Sequence, residues 1–213
     1  MNPEKIELER LSIVLIGSFN PKIFHPAWLS ANGLIRSSEA ETAEKMFIHN
    51  NVSVFELDWM SINVTPDRFT INTLQPAYYE IVRDLVSGMF EILEHTPMTA
   101  MGVNFESHYG MSKPERLRSV SNEIIDIKKW ESIFDKPELN SLSVKTSKPE
   151  DLGYYLIRVE ESIRIANGLY IQTNDHTNIN SAKEMREILL SNWKRDFESH
   201  YIAIDKILDT YLK

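Results

Sequence analysis

YYLIRVEESIRIANGLYIQTND, residues 154–175, consists of two strand-forming runs on either side of Asn167-Gly168. Asn-Gly favours a type I′ turn, because both central residues must tolerate positive φ. A two-residue loop there sets Ile165 opposite Tyr170, Ile163 opposite Gln172 and Val159 opposite His176 on the buried side. Arg164, Ser162, Glu160 and Asp175 then share the wetter face. This hairpin commits the second half of the chain to antiparallel pairing.

Working outward, LNSLSVKT (139–146) and PMTAMGVNFESHY (97–109) read as further strands. The latter alternates Met101, Val103 and Phe105 with Gly102, Asn104, Glu106 and His108, the period of two expected of a strand. Upstream, VSVFELDWMSINV (52–64) reads as one strand, turning at Thr65-Pro66-Asp67 into RFTINTL (68–74). LSIVLIGSF (11–19) is a buried strand that stops at Asn20-Pro21.

Helical signals fall between these runs, at 26–35, 37–47, 78–96 and 114–134. In the third, Ile81, Leu85, Val86, Met89, Ile92 and Leu93 form the predicted apolar face. The ending, 181–212, opens with Ser181 and Glu184 in capping-box spacing. It carries one stripe: Met185, Leu189, Trp193, Phe197, Tyr201, Ile204, Leu208 and Tyr211. The prediction is a single α+β domain over 1–213, an antiparallel sheet covered by helices with a long amphipathic C-terminal helix. At about 45–50 Å that helix exceeds what a small sheet needs. The excess predicts a homo-oligomeric or partner interface at Trp193, Tyr201, Ile204 and Leu208.

The 213 residues hold 31 acidic and 23 basic side chains, a net charge of −8 that opposes attraction to phosphate backbones. No nucleic-acid partner is therefore expected, and Lys113, Arg116, Arg118, Lys128 and Lys129, interleaved with acids, read as a solvated helical face. Cysteine is absent, which fits a reducing compartment, and MNPEKIELER is charged where a signal peptide would be apolar. No apolar run approaches the ~20 residues of a membrane span, so a cytoplasmic chain without membrane contact is expected.

The histidines 25, 49, 95, 108, 176 and 200 show neither H-x-x-x-H nor H-E-x-x-H spacing, and no metal is expected. With 7 glycines and neither phosphate-cradling motif nor serine elbow, no nucleotide-binding glycine loop and no cofactor are expected. The tryptophans at 28, 59, 130 and 193 lie among apolar neighbours and are read as core. Two groups remain as catalytic or binding candidates. His25 follows a strand and turn, while Glu106 and His108, joined by Glu160 and Asp175 and flanked by Asn104, offer an acid and a base on one strand face.

IGSFNP (16–21) resembles the G-[ST]-F-[DN]-P opening of nucleotidyltransferases that transfer adenylyl groups. Where that family sets Thr or His, then Gly, then a second His, this chain has Ile23, His25 and Pro26. The resemblance implies adenylyl transfer, with His25 near the transferred group. INVTPDRFTIN (62–72), the helix starting at Tyr78 and TAMGVNFESHY (99–109) resemble the core of a sporadically distributed family of bacterial proteins. In that family a "pdrf" hairpin, a helix and a G-[LI]-R-Y-x-N strand recur. Gly102 and Asn104 stand near the corresponding positions, and the Arg-Tyr pair is replaced. This second resemblance implies an α+β fold and a patchily inherited bacterial gene, of the kind carried by mobile or defence-associated elements. Together these readings point to a non-catalytic accessory or interaction protein, the alternative being a small-molecule or nucleotide-using enzyme.

Overall fold

The computed structural model describes residues 5–111 and 126–211. The strands are β1 (Lys5–Gly17), β2 (Glu44–His49), β3 (Val52–Leu57), β4 (Met60–Val64), β5 (Arg68–Thr73), β6 (Met98–Gly110), β7 (Ser141–Ser147), β8 (Gly153–Glu161) and β9 (Gly168–Asn178). They form one nine-stranded sheet in the order β2-β3-β4-β5-β1-β6-β9-β8-β7, with every neighbouring pair antiparallel. The α-helices are α1 (Pro26–Ala31), α2 (Ser37–Glu41), α3 (Tyr79–Ile92) and α4 (Ala182–Tyr211). The architecture is α+β, as its sequence pattern predicts.

β1 takes the centre through its apolar run LSIVLIG, residues 11–17. Leu11, Ile13 and Leu15 are fully buried against the helices, and β5 and β6 pair with its two sides. It begins earlier than the apolar run, at Lys5, because its charged residues find partners: Arg10 reaches Glu106 at 3.8 Å, and Glu9 accepts from the Tyr201 hydroxyl at 2.5 Å. β5 and β6 run parallel to each other, both being antiparallel to β1, so α3 carries the chain across β1. The phenyl rings of Phe24, Phe69 and Phe90 meet beneath it, Phe69 and Phe90 edge to face at 5.3 Å.

Several elements differ from the sequence reading. Residues 52–64 are two strands, with Leu57 pairing Met60 across Asp58-Trp59. Trp59 is buried there and donates to Glu39 at 2.8 Å, so packing drives a turn that no Gly or Pro announces. The helix predicted over 37–47 stops at Glu41, and 44–49 joins the sheet edge beside β3, where pairing overrides helix propensity. In α3 the buried face is Tyr79, Val82, Leu85, Val86, Met89 and Phe90, whereas Ile81 and Ile92 point outward. Residues 112–125, most of the helix read over 114–134 with Lys113, Arg116 and Arg118, lie outside the described residues. Trp130 is exposed rather than core: it ends a short 3₁₀ turn in which only Ile127 is buried.

The Asn167-Gly168 hairpin forms with a longer loop. β8 ends at Glu161, opposite Leu169, and Ser162 Oγ accepts the N–H groups of Arg164 and Ile165 at 3.1 and 2.9 Å. Asn167 takes a positive φ of 53°, and Ile163 is left in solvent. Val159 therefore faces Ile171 instead of His176, a shift of five positions, from 176 to 171. The observed register buries Val159 beside a fully buried Ile171, and that apolar match outweighs the tightest turn. Because the shift is odd, it exchanges the faces of β9 relative to β8. β9 also continues to Asn178, beyond the run 154–175 that the hairpin reading covers.

α4 follows its predicted stripe. Met185, Leu189 and Trp193 join the main core, and Ile204 and Leu208 pack with Tyr109, Val159, Leu169 and Ile171 in a second cluster. Phe197 and Tyr201 are half-buried beside them, and the side chain of Tyr211 lies outside those described. Of the residues read as an interface, Trp193, Ile204 and Leu208 are buried within this chain and Tyr201 is half-buried. The 13 residues of β6 span about 43 Å at ~3.3 Å each. The 30 residues of α4 span about 45 Å, so the long helix matches a long strand. Among the described residues no helix is long and apolar enough to cross a membrane.

Candidate functional site

All four α-helices pack on one face of the sheet, where odd-numbered β1 and β6 residues point. Apart from Ile6 and Met98, which lie beyond the register shifts, the even-numbered residues of these strands form the other face, which no described helix covers. Lateral pairing arranges that face in rows. The first runs Glu56–Ser61–Asn72–Ser12–Asn104–Asn174–Leu156–Lys145, so five strands in succession contribute a Ser or an Asn. Asn72 donates to Ser61 Oγ at 2.7 Å, Asn104 to the Ser12 carbonyl at 3.4 Å and Asn174 to Asn104 Oδ1 at 2.6 Å. The next row holds Arg10, Glu106, Gln172 and Arg158, and the third holds Leu8, His108, Tyr170 and Glu160. On the β4–β5–β1 side, Arg10, Asn63, Arg68, Thr70 and Asn72 line a recess of about 330 Å³.

Strand geometry brings Asn104, Glu106, His108 and Glu160 together as the sequence reading expects, on one face within successive rows. Asn104 and His108 are 6% and 4% exposed although nothing described roofs them. Among the described residues their lateral neighbours pack against them, Asn174 bonding Asn104 and the Tyr170 ring lying on His108. Burial raises the Glu106 carboxyl above its ordinary value, against the pull of Arg10 and a hydrogen bond from Tyr170. Burial, with Arg164 adding to it, lowers His108, so its ring is neutral near pH 7. Its Nδ1 lies 2.8 Å from Ser162 Oγ. That hydroxyl already accepts two backbone N–H groups, so it donates to Nδ1 and leaves the ring proton on Nε2. The nitrogen a general base would use is thus occupied, and the Tyr170 ring packs 4.9 Å from the imidazole. The arrangement offers fixed donors and acceptors for recognition.

Two polar atoms on this face are buried and make no hydrogen bond among the described residues: Arg10 Nε, a donor, and Asn174 Oδ1, an acceptor. They stand in adjacent rows. An orphaned buried group costs about 1–3 kcal/mol, which a bound partner recovers.

Asp175 is not part of this face. The register shift turns it under α4, where it meets Lys148, and Arg195 Nη2 at 2.9 Å. His25 is the N-cap of α1, its Nδ1 accepting the Trp28 N–H at 3.1 Å. Gly17 of the G-S-F-N-P string allows close backbone approach, since a Cβ there would meet the Pro97 carbonyl oxygen at 2.3 Å. Asn20 accepts from the Lys22 N–H in the following turn. Those residues make a strand-to-helix corner.

His200 is the buried polar group that sequence reading missed. Its Nε2 lies 2.8 Å from Ser107 Oγ and its Nδ1 2.8 Å from Thr173 Oγ1, and burial lowers its pKa to about 4. Position on a helix otherwise rich in charge gave it no distinguishing signal. Among the described residues no group of three His, Asp or Glu is placed to hold a metal ion. No family model matches the chain, and no curated protein matches it.

Proposed function

We propose that this chain is a non-catalytic interaction protein that works through the polar face of its sheet that no described helix covers, and that its partner is an acidic polypeptide segment. The carrying observation is the pair of orphaned polar atoms, Arg10 Nε and Asn174 Oδ1, in adjacent rows of that face. Polypeptide backbone supplies both missing complements, a carbonyl and an N–H. The face displays Arg10, Arg68, Arg158 and Lys145 against Glu44, Glu56, Glu106 and Glu160, and Lys45 reaches Glu56 at 2.7 Å, in a chain whose overall charge is −8. Those cationic groups favour acidic side chains on the partner. The cysteine-free composition fits a reducing, cytosolic setting, and the resemblance of 62–109 supports a bacterial accessory role. Adenylyl transfer finds no support, because His25 spends its ring nitrogen on a helix cap in an antiparallel fold.

Gly102 lies in the middle of the face, and a Cβ there has only ordinary contacts, the nearest at 3.6 Å. Gly102→Trp therefore fills the face from outside without entering the core. Capture from host lysate should recover an acidic protein with wild type, released by salt, and lose it with Gly102→Trp at an unchanged melting temperature. Equal capture by both proteins overturns the reading, as does bound material that nuclease removes. A mass that doubles across micromolar concentrations in wild type, and not in Gly102→Trp, assigns the face to a second copy of the chain instead.

A further inference from the structure

The helix layer does not cover the sheet evenly. Between the flank of α4 and the outer strands β8 and β7 lies a cavity of about 270 Å³. Val103, Phe105, Ile157 and Ala203 give it apolar walls. One end is ionic, formed by Asp175 of β9, Tyr155 of β8, and Arg195 and Asp196 of α4.

The bonds at that end are unequal. Asp175 is saturated, taking Lys148 on Oδ1, the Thr177 hydroxyl at 3.1 Å and Arg195 Nη2 at 2.9 Å. Arg195 Nε and Nη2 both reach Asp196 Oδ1, at 3.0 and 2.7 Å. Arg195 Nη1 makes no hydrogen bond among the described residues, and the side chain is 49% exposed. Burial and the neighbouring Asp175 charge hold the Asp196 carboxyl well above its usual range. Of the guanidinium nitrogens, Nη1 is thus the one left without a partner among the described residues, and Arg195 lines one end of an apolar cavity.

We propose that this cavity binds a small monocarboxylate of roughly nine to thirteen non-hydrogen atoms in all, at ~20–30 Å³ each, with its carboxylate on Arg195 Nη1 and its apolar body against Phe105, Ile157 and Ala203. The apolar body buries where water is poorly held, and the guanidinium supplies a charge-assisted bond to the head. The site lies on the opposite side of the sheet from the proposed protein-binding face and does not depend on it.

Calorimetric titration of the full chain with octanoate, octylamine and 1-octanol tests the idea. Octanoate should bind saturably and at least tenfold more tightly than either of the others. Arg195→Met should weaken octanoate at least tenfold and leave octanol unchanged, and Ala203→Phe should abolish binding of both. Octylamine binding as well as octanoate, equal affinity for all three, or no saturable heat overturns the assignment, as does undiminished binding by Ala203→Phe. Should that variant fail to fold, hydrogen exchange on wild type decides. Octanoate must then slow exchange across 195–203, and unchanged exchange there rejects the site.

Discussion

The two faces of this sheet are made by the same strands, alternate residues apart, and they become dry in different ways. Leu11, Ile13 and Leu15 are fully buried under a roof of helices. Ser12, one residue away, is 6% exposed, as is Asn104, yet nothing described lies above them. On the roofed face, burial is apolar contact that stabilises the fold. On the open face it is lateral packing of short polar groups, which fixes hydrogen-bond partners and contributes little net stability. Similar exposure therefore marks an apolar core on one side and a hydrogen-bonded polar surface on the other.

The largest effect should come from the roof. Ile204→Ala with Leu208→Ala removes two buried side chains, 0% and 3% exposed. The cost should be several kcal/mol, at about 2–5 each, read by urea unfolding. Near-wild-type melting would break the comparison by showing the helix end to be dispensable.

The next effect is acidic and sits at the roof's one buried histidine. His200 has its folded pKa lowered to about 4 by burial, against 6.5 when unfolded. Above pH 6.5 both states are neutral and the stability is fully present. As pH falls from 6.5 towards 4 the unfolded chain takes up the proton first, so stability is lost, by roughly 3 kcal/mol in all. His200→Gln should flatten that part of the stability–pH curve, and an undiminished acid slope would place its cause elsewhere.

On the open face, Asn104→Leu should cost about 1–3 kcal/mol, because it leaves the Asn174 amide without its acceptor. Asn104→Leu with Asn174→Leu should cost less than the single change, since both partners are then gone. A double mutant worse than the single would make the polar row a stability device and blur the contrast between faces. The smallest effect is expected at Arg158, exposed in the ionic row. Arg158→Gln should leave stability within about 0.5 kcal/mol while weakening capture of the acidic partner.

The same contrast explains which parts could be read in advance. β5 and β6 were legible from alternation: Phe69 and Ile71, like Val103 and Phe105, face the roof as their spacing requires. Asn104, Glu106 and His108 follow from the other half of that pattern. Where local chemistry competed with packing, packing prevailed. Residues 44–49 carry good helix formers and became an edge strand, and Asn167-Gly168 lost the tight turn to a register that matched Val159 with Ile171. That register also moved Asp175 from the open face to the cavity beneath α4, an error that a residue-by-residue reading has no means of detecting.

What the sequence by itself determined is therefore the content of each element and each face: an antiparallel α+β fold, an apolar stripe along α4, and a polar side to β6. Alternation and helical spacing are local, so they survive without knowledge of neighbours. Only the tertiary structure decided who stands beside whom. Ser12 comes between Asn72 and Asn104 because the N-terminal strand inserts between β5 and β6, and Asn174 extends the row because β9 returns to pair with β6. Lateral neighbours are set by topology and register, through contacts such as that of Asn104 with Ser12, 92 residues apart in the chain, and no period within one strand encodes them.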